Sequence, residues 1–274
     1  MPDAHIPRHT KWASLPNSLE LPYVEQGDES GTPVVFLHAY ADSWRSFEDL
    51  LSHLPSSIHA CLPSQRGHGD ASKPLRGYEI TDLSGDLAAF LDVAGLGRTV
   101  LVASSSASFT VQRFTVDNPH RVLGLVLIGV PWSLRDSAAG VTLFEAVSSL
   151  SDPVDPGFVR DFVESTVTRH RGSHTSLEAL IDESLKVPAH VWKATLTGLL
   201  NAAPAAETAA IAAPTLIVWG DRDGFVSRAD QERLVAAIPE SQLVVYEGAG
   251  HVVHWEEPER VAAVVAAFAK GLDS

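Results

Sequence analysis

The sequence predicts an α/β protein: a mostly parallel sheet with helices on both faces, interrupted once by a helical insertion. Three observations carry this reading. Short apolar runs alternate with longer stretches of helical periodicity, the pattern of chains that wind helices around a parallel sheet. The runs are continuous rather than alternating, which fits strands covered on both faces. From Ser133 to about Ala213 the strand-like runs stop, and only helical stretches appear.

Taken in order, Glu20–Glu25 reads as an antiparallel edge strand that ends in the turn Gly27-Asp28-Glu29-Ser30-Gly31. Val34-Val35-Phe36-Leu37 is the first continuous run. Ile58–Leu62, Thr99–Ala103, Leu123–Ile128, Thr215–Trp219 and Gln242–Tyr246 repeat it. Helical stretches separate them at Ser43–His53, Ile80–Ala94, Ser105–Asp117, Ser227–Ile238 and Pro258–Ala269. Pro258 suits a first helical turn, where its missing N–H costs nothing. The insertion is punctuated by Asp152-Pro153, Asp155-Pro156, Gly172, Pro188 and Pro204, which leaves helices at Val141–Leu150, Gly157–Arg169, Thr175–Lys186 and Ala189–Ala202. Residues 1–132 and 208–274 are therefore expected to form a core domain, and 133–207 a cap over it.

Composition narrows the function classes. The 274 residues carry 20 basic and 34 acidic side chains, a formal charge of −14. So acidic a surface repels phosphate backbones and anionic lipid, which argues against nucleic-acid and membrane partners. Cys61 is the single cysteine, so neither an intrachain disulfide nor a thiolate metal cluster is expected. The first residues lack the apolar stretch of a signal peptide, and no run reaches the ~18–20 apolar residues of a membrane span. A soluble cytoplasmic protein is the expectation, its partner a small-molecule substrate; oligomeric state is not legible.

The chemistry lies in loops at the carboxyl ends of strands, the edge where open α/β sheets bind ligands. After Thr99–Ala103 comes Ala103-Ser104-Ser105-Ser106-Ala107-Ser108 and then a helix. A sharp strand-to-helix turn with serine at its apex is a nucleophile elbow, whose neighbours two residues away must be small. Ser105 and Ser106 both meet the size rule. Ser105 is preferred because the apolar strand ends at Ala103 and Phe109, Val111 and Phe114 suit a helix that starts there. After Thr215–Trp219, the loop Gly220-Asp221-Arg222-Asp223-Gly224 offers a carboxylate able to orient a histidine. Asp223 is the choice, with Asp221 a turn residue bonding backbone amides. After Gln242–Tyr246, Gly248-Ala249-Gly250-His251 brings an imidazole back over the serine, with Val252 and Val253 keeping the site dry. The order Ser, Asp, His, each after a different strand, is more specific than any one motif. The backbone N–H of Ser106, at the start of the following helix, is expected to be one oxyanion donor, and the loop after Val34–Leu37 to supply the other.

On Val35-Phe36-Leu37-His38-Ala39-Tyr40, Gln65-Arg66-Gly67-His68-Gly69-Asp70, the elbow, Ile217–Asp223 and Gly248–His251, the chain resembles α/β-hydrolases of the bacterial esterase and lactonase type over nearly its whole length. The resemblance implies the α/β-hydrolase fold, with a helical lid inserted after the sixth strand. It implies that Ser105, His251 and Asp223 are nucleophile, base and acid, that Tyr40 gives the second oxyanion amide, and that no cofactor or metal is needed. Ala39 stands where the family has glycine, and Ala103, Ser104 and Ala107 replace the usual G-H-S-x-G surroundings. Family members that cleave epoxides or carbon–halogen bonds carry aspartate at the elbow, so Ser105 points to ester or lactone hydrolysis. A hydrolase-fold sensor that binds a small apolar signal with little turnover is the alternative.

Other polar motifs are read structurally. Arg66–Asp70 is loop punctuation and His38 shapes its loop. His170 and His174 have i, i+4 spacing, but Gly172 lies between them and no carboxylate completes a metal set. His254 and Trp255 pack near the site. Apolar residues of the insertion (Leu143, Phe144, Val147, Phe158, Phe162, Trp192, Leu196) are core between cap helices, with Phe144 also reaching the cavity. With Ala39, Tyr40, Trp132 and Val252 they are expected to enclose a mainly apolar cavity for a small, uncharged ester or lactone.

Overall fold

In the computed structural model, which describes residues 6–135, 137–168, 175–202 and 208–272, the continuous apolar runs become inner strands of one eight-stranded sheet. These are β3 (Thr32–Leu37), β4 (Ile58–Pro63), β5 (Thr99–Ser104), β6 (Val122–Ile128) and β7 (Thr215–Gly220), with β8 (Ser241–Tyr246) at one edge. All six run parallel. At the other side β2 (Glu20–Gln26) pairs antiparallel with β4, and β1 (Arg8–Ser14) antiparallel with β2, giving the order β1-β2-β4-β3-β5-β6-β7-β8.

Glu20–Glu25 is thus antiparallel but is not the edge. β1 covers it from Arg8 opposite Gln26 to Ser14 opposite Glu20. β1 goes unread in the sequence because Ala13 is its one buried residue. With β1 counted, the insertion follows the sixth strand, as the resemblance implies.

The two sheet faces carry separate apolar cores. Leu87 and Phe90 of α2 (Ile80–Val93), Val111 and Phe114 of α3 (Ala107–Asp117) and Leu234 of α8 (Arg228–Ala237) cover one. Leu50 and Leu51 of α1 (Glu48–Leu51) and Val261, Ala262 and Val265 of α9 (Pro258–Gly271) cover the other. The expected helix Ser43–His53 is a 3₁₀ turn, Trp44–Phe47, running into α1.

Between β6 and β7 lie α4 (Ala138–Ser148), α5 (Pro156–Thr166), α6 (Leu177–Leu185) and α7 (Ala189–Asn201). Ser137, Asp155 and Ser176 start the first three, each side chain accepting a backbone N–H three residues on. These helices build a third core with the loop after β3. The Tyr40 ring meets Phe162 and Trp192 edge-on, and its hydroxyl donates to the Trp192 carbonyl at 2.6 Å. His170, His174, Gly172 and Pro204 fall outside the described residues. No helix among those described is long and apolar enough to cross a membrane.

This topology positions a site. β3 lies between β4 and β5, so the chain leaves it toward one neighbour and returns on the other. The loops after β3 and β5 therefore open a crevice at their carboxyl ends, where such sheets bind ligands.

Candidate active site

The crevice begins at the bend between β5 and α3. Ser105 holds φ +47, a left-handed conformation that costs a non-glycine residue about 1–3 kcal/mol and persists only where the surroundings enforce it. Here its N–H donates to the Ile128 carbonyl at 2.7 Å, and its carbonyl accepts from Ser108 at 2.9 Å. Ala103 and Ala107, two residues to either side, are buried. Their methyl groups fit where the family has glycine, because the left-handed turn falls on Ser105 and on neither alanine. α3 starts at Ala107, two residues later than the sequence reading, so Ser105 and Ser106 form the turn itself.

Two distant loops complete a hydrogen-bonded chain. His251 Nε2 lies 2.8 Å from Ser105 Oγ, and His251 Nδ1 lies 2.8 Å from Asp223 Oδ2. The other Asp223 oxygen accepts from the Phe225 and Val226 amides at 2.8 and 3.0 Å. Both oxygens are thus engaged, which fixes the carboxylate and makes Nδ1 the donor and Nε2 the acceptor from serine. The Asp223 side chain is fully buried and that of His251 nearly so. Asp221 bonds the Gly248 amide and so closes the turn beside them.

Two glycines make the approach possible. A Cβ on Gly220 would lie 2.3 Å from the Ala249 and Gly250 carbonyl oxygens, so the loop carrying His251 could not cross β7 there. Gly129, at φ +59, lies directly beneath the imidazole. Sequence reasoning missed it; a glycine immediately after the apolar run Leu123–Ile128 is the available signal.

One cavity joins Ser105, Ser106, His251, Ala39, Tyr40 and Val252. Most of its wall is apolar, from Leu134, Leu143, Phe162, Val163, Leu180, Leu196, Leu199, Phe225 and Trp255. Two expected pocket residues lie elsewhere. Phe144 is 47% exposed, because α4 turns the neighbouring Leu143 inward instead. Trp132 lines a separate cleft with Ser133, Ser137 and Arg233, on the far side of Phe225 and Val226. Ala39 adopts no positive φ, so its Cβ meets the cavity without backbone strain.

The loop after β3 contributes an acid that the sequence reading passed over. Asp42 lines the cavity, and burial pushes its carboxyl up to about 7. The Ser43 N–H, 2.7 Å from Oδ1, and a bond from Ser46 pull in the opposite direction, and the charge on Glu183 adds slightly to the rise.

Other polar groups brace this architecture. His38 Nδ1 is 2.8 Å from the Ala39 carbonyl, and Nε2 accepts the Gln65 N–H at 2.9 Å. Those partners require a neutral ring, and burial holds it so, its pKa pushed down to about 3. His68 bonds the Arg66 carbonyl, while the Arg66 guanidinium makes a two-pronged buried ion pair with Asp86. His254 stacks on Phe47 at 4.3 Å and burial lowers it to about 3. Glu25, His59 and Cys61 present ligand atoms within 4.8 Å of one another across β2 and β4. They lie outside the cavity, and Lys11 binds Glu25 there.

Residues 32–258 match the model of the alpha/beta hydrolase fold family, and the chain belongs to that family. Among curated relatives, epoxide hydrolase 2 of Caenorhabditis elegans is 23% identical over 94% of this chain and 79% of its own length. A putative non-heme chloroperoxidase of Synechocystis sp. is 27% identical, covering 90% of this chain and 99% of its own. Among solved structures, the esterase RhEst1 from Rhodococcus sp. ECU1013 superposes with a TM-score of 0.85 at 24% identity, over 96% and 99% of the two chains.

Proposed function

We propose that this chain is a serine hydrolase that cleaves a small, mainly apolar carboxylic ester or lactone through an acyl-enzyme. The unbroken hydrogen-bonded series Ser105, His251, Asp223, facing an apolar cavity, carries the reading.

In the reaction Ser105 Oγ bonds to the substrate carbonyl carbon as its proton passes to His251 Nε2. The carbonyl π electrons move onto oxygen, and the Tyr40 and Ser106 amides take that charge. Among the described residues neither amide donates to a protein acceptor, which leaves both for this task. Each such donor contributes roughly 2.7–4 kcal/mol in comparable sites. Asp223 stabilises the imidazolium without taking its proton. The carbon–oxygen ester bond then breaks, and the leaving alkoxide collects the proton from His251. Water, deprotonated by the same nitrogen, attacks the acyl-enzyme, releases the acid and restores Ser105. The four-helix insertion serves as the lid that keeps bulk water from this cavity. A serine at the elbow favours ester cleavage over the epoxide chemistry named for one relative.

Ser105→Ala tests the reading. The variant should fold, lose the burst of p-nitrophenol from short-chain p-nitrophenyl esters and resist a fluorophosphonate label. Unchanged turnover would refute it. Heat stabilisation by ligands with no product from any ester or lactone would favour the sensor instead.

A further inference from the structure

Two hydroxyls of the cavity wall have their protons committed elsewhere. Ser184, buried on α6, donates its only hydroxyl proton to the Leu180 carbonyl at 3.0 Å, and Thr166 donates to Val163 at 2.7 Å. What these hydroxyls have left to offer a ligand is lone pairs. Among the described residues Asp42 is the wall's one carboxyl, and no lysine or arginine lines the cavity. Arg45 and Lys186 both pair with Glu183 on α6. Asp42 is half-buried and lines the cavity. Its partners are the Ser43 amide and Ser46, and an ionised carboxylate has about four acceptor positions.

We propose that Asp42, with the Ser184 hydroxyl oxygen, forms a subsite for a protonated amine, so that the substrate is an amphiphilic ester with an apolar body and one alkylammonium group. This inference rests on the hydrolase reading and replaces the expectation of an uncharged substrate. An ammonium brings three N–H donors and no acceptor, the complement of the Asp42 carboxylate and the Ser184 lone pairs. It also supplies the countercharge that a carboxylate in an apolar cavity lacks. A substrate carboxylate meets repulsion from the same group.

Among the described residues, few groups set the charge here. Ser43 and Ser46 lie on the loop that carries Asp42. Glu183 faces it from α6, held by Lys186 and Arg45, and His251 shares the cavity. Raising the pH through the carboxyl's titration ionises Asp42, so preference for an ammonium ester rises with pH while the amine stays protonated.

The experiment compares p-nitrophenyl hexanoates that end in a methyl, hydroxyl, ammonium or carboxylate group. In the intact protein kcat/KM for the ammonium ester should exceed those for the methyl and hydroxyl esters by about tenfold or more, with the carboxylate ester slowest. The ammonium-to-methyl ratio should climb between pH 6 and 8, and fall to about one, without pH dependence, in Asp42→Asn. A ratio reports the subsite whatever the variant does to overall rate. Should the variant not fold, the pH dependence in the intact protein decides. Equal rates on all four esters, a hydroxyl ester matching the ammonium ester, or a preference that survives Asp42→Asn would overturn the subsite. Heat stabilisation by hexylammonium beyond that by hexanol reads the subsite without turnover, so failure of the hydrolase reading leaves it testable.

Discussion

A single methyl group beneath the imidazole offers a sharp probe of the site. At Gly129 an added Cβ would lie 2.9 Å from the His251 carbonyl oxygen, 3.2 Å from Nδ1 and 3.3 Å from Cε1. Carbon–oxygen contacts settle at about 3.3–3.6 Å, so in Gly129→Ala the His251 segment must retreat by about 0.4 Å or more. The Nε2–Oγ bond of 2.8 Å then stretches to about 3.2 Å, the edge of useful hydrogen bonding. A 1 Å misplacement costs about 100-fold in comparable sites, so about half that displacement predicts a loss of about tenfold in acylation rate. The φ of +59 adds about 1–2 kcal/mol of backbone strain for alanine, lowering Tm by a few degrees. Stopped-flow measurement of the p-nitrophenol burst reads the rate, and calorimetry reads the strain. A folded variant whose burst rate stays within about twofold of the parent would refute the claim that Gly129 seats the ring.

Further consequences follow from individual contacts. Asp223→Asn keeps the shape but presents an amide to Nδ1, and kcat should fall by about 10⁴ as the histidine tautomer inverts; a loss under tenfold would contradict the assignment. Arg66→Ala strands the buried Asp86 carboxylate, which among the described residues keeps only the bond from Asn17, and should cost about 3–5 kcal/mol in urea unfolding. Burial lowers His38 and His254 to about 3 and His68 to about 4, so below pH 6.5 the unfolded chain binds protons that the native one refuses. Each contributes a loss of up to about 1.4 kcal/mol per pH unit as the pH falls toward 4. Asp42, raised to about 7, has the opposite sign over that window and cancels about one of the three. The urea midpoint should therefore drop steeply between pH 6.5 and 5, and a flat profile would show that these rings protonate without unfolding.

What was legible follows from where the apolar side chains point. β3 to β7 are buried on both faces and announce themselves as continuous runs, and their order fixes which loops meet. β1 escapes because an edge strand with one buried residue has no pattern to read. Within the site, the sequence singles out Ser105, Asp223 and His251, which the structure brings into one hydrogen-bonded series, because the proposed chemistry restricts the residue type at each loop. The cavity wall was not. Helical periodicity cannot say whether Leu143 or Phe144 faces inward, since a rotation of one residue exchanges them. Asp42 carries no sequence signal, because a loop aspartate is ordinarily solvated; its meaning arises only when α6 closes over it.

The most direct measurement stops turnover of a p-nitrophenyl ester with acid within the burst and maps the added acyl mass by peptide sequencing. The acyl group should reside on Ser105 and be absent when His251 is replaced by alanine. An acyl group on Ser106 or on another residue, or steady turnover through no covalent species, would contradict nucleophilic catalysis at the bend after β5.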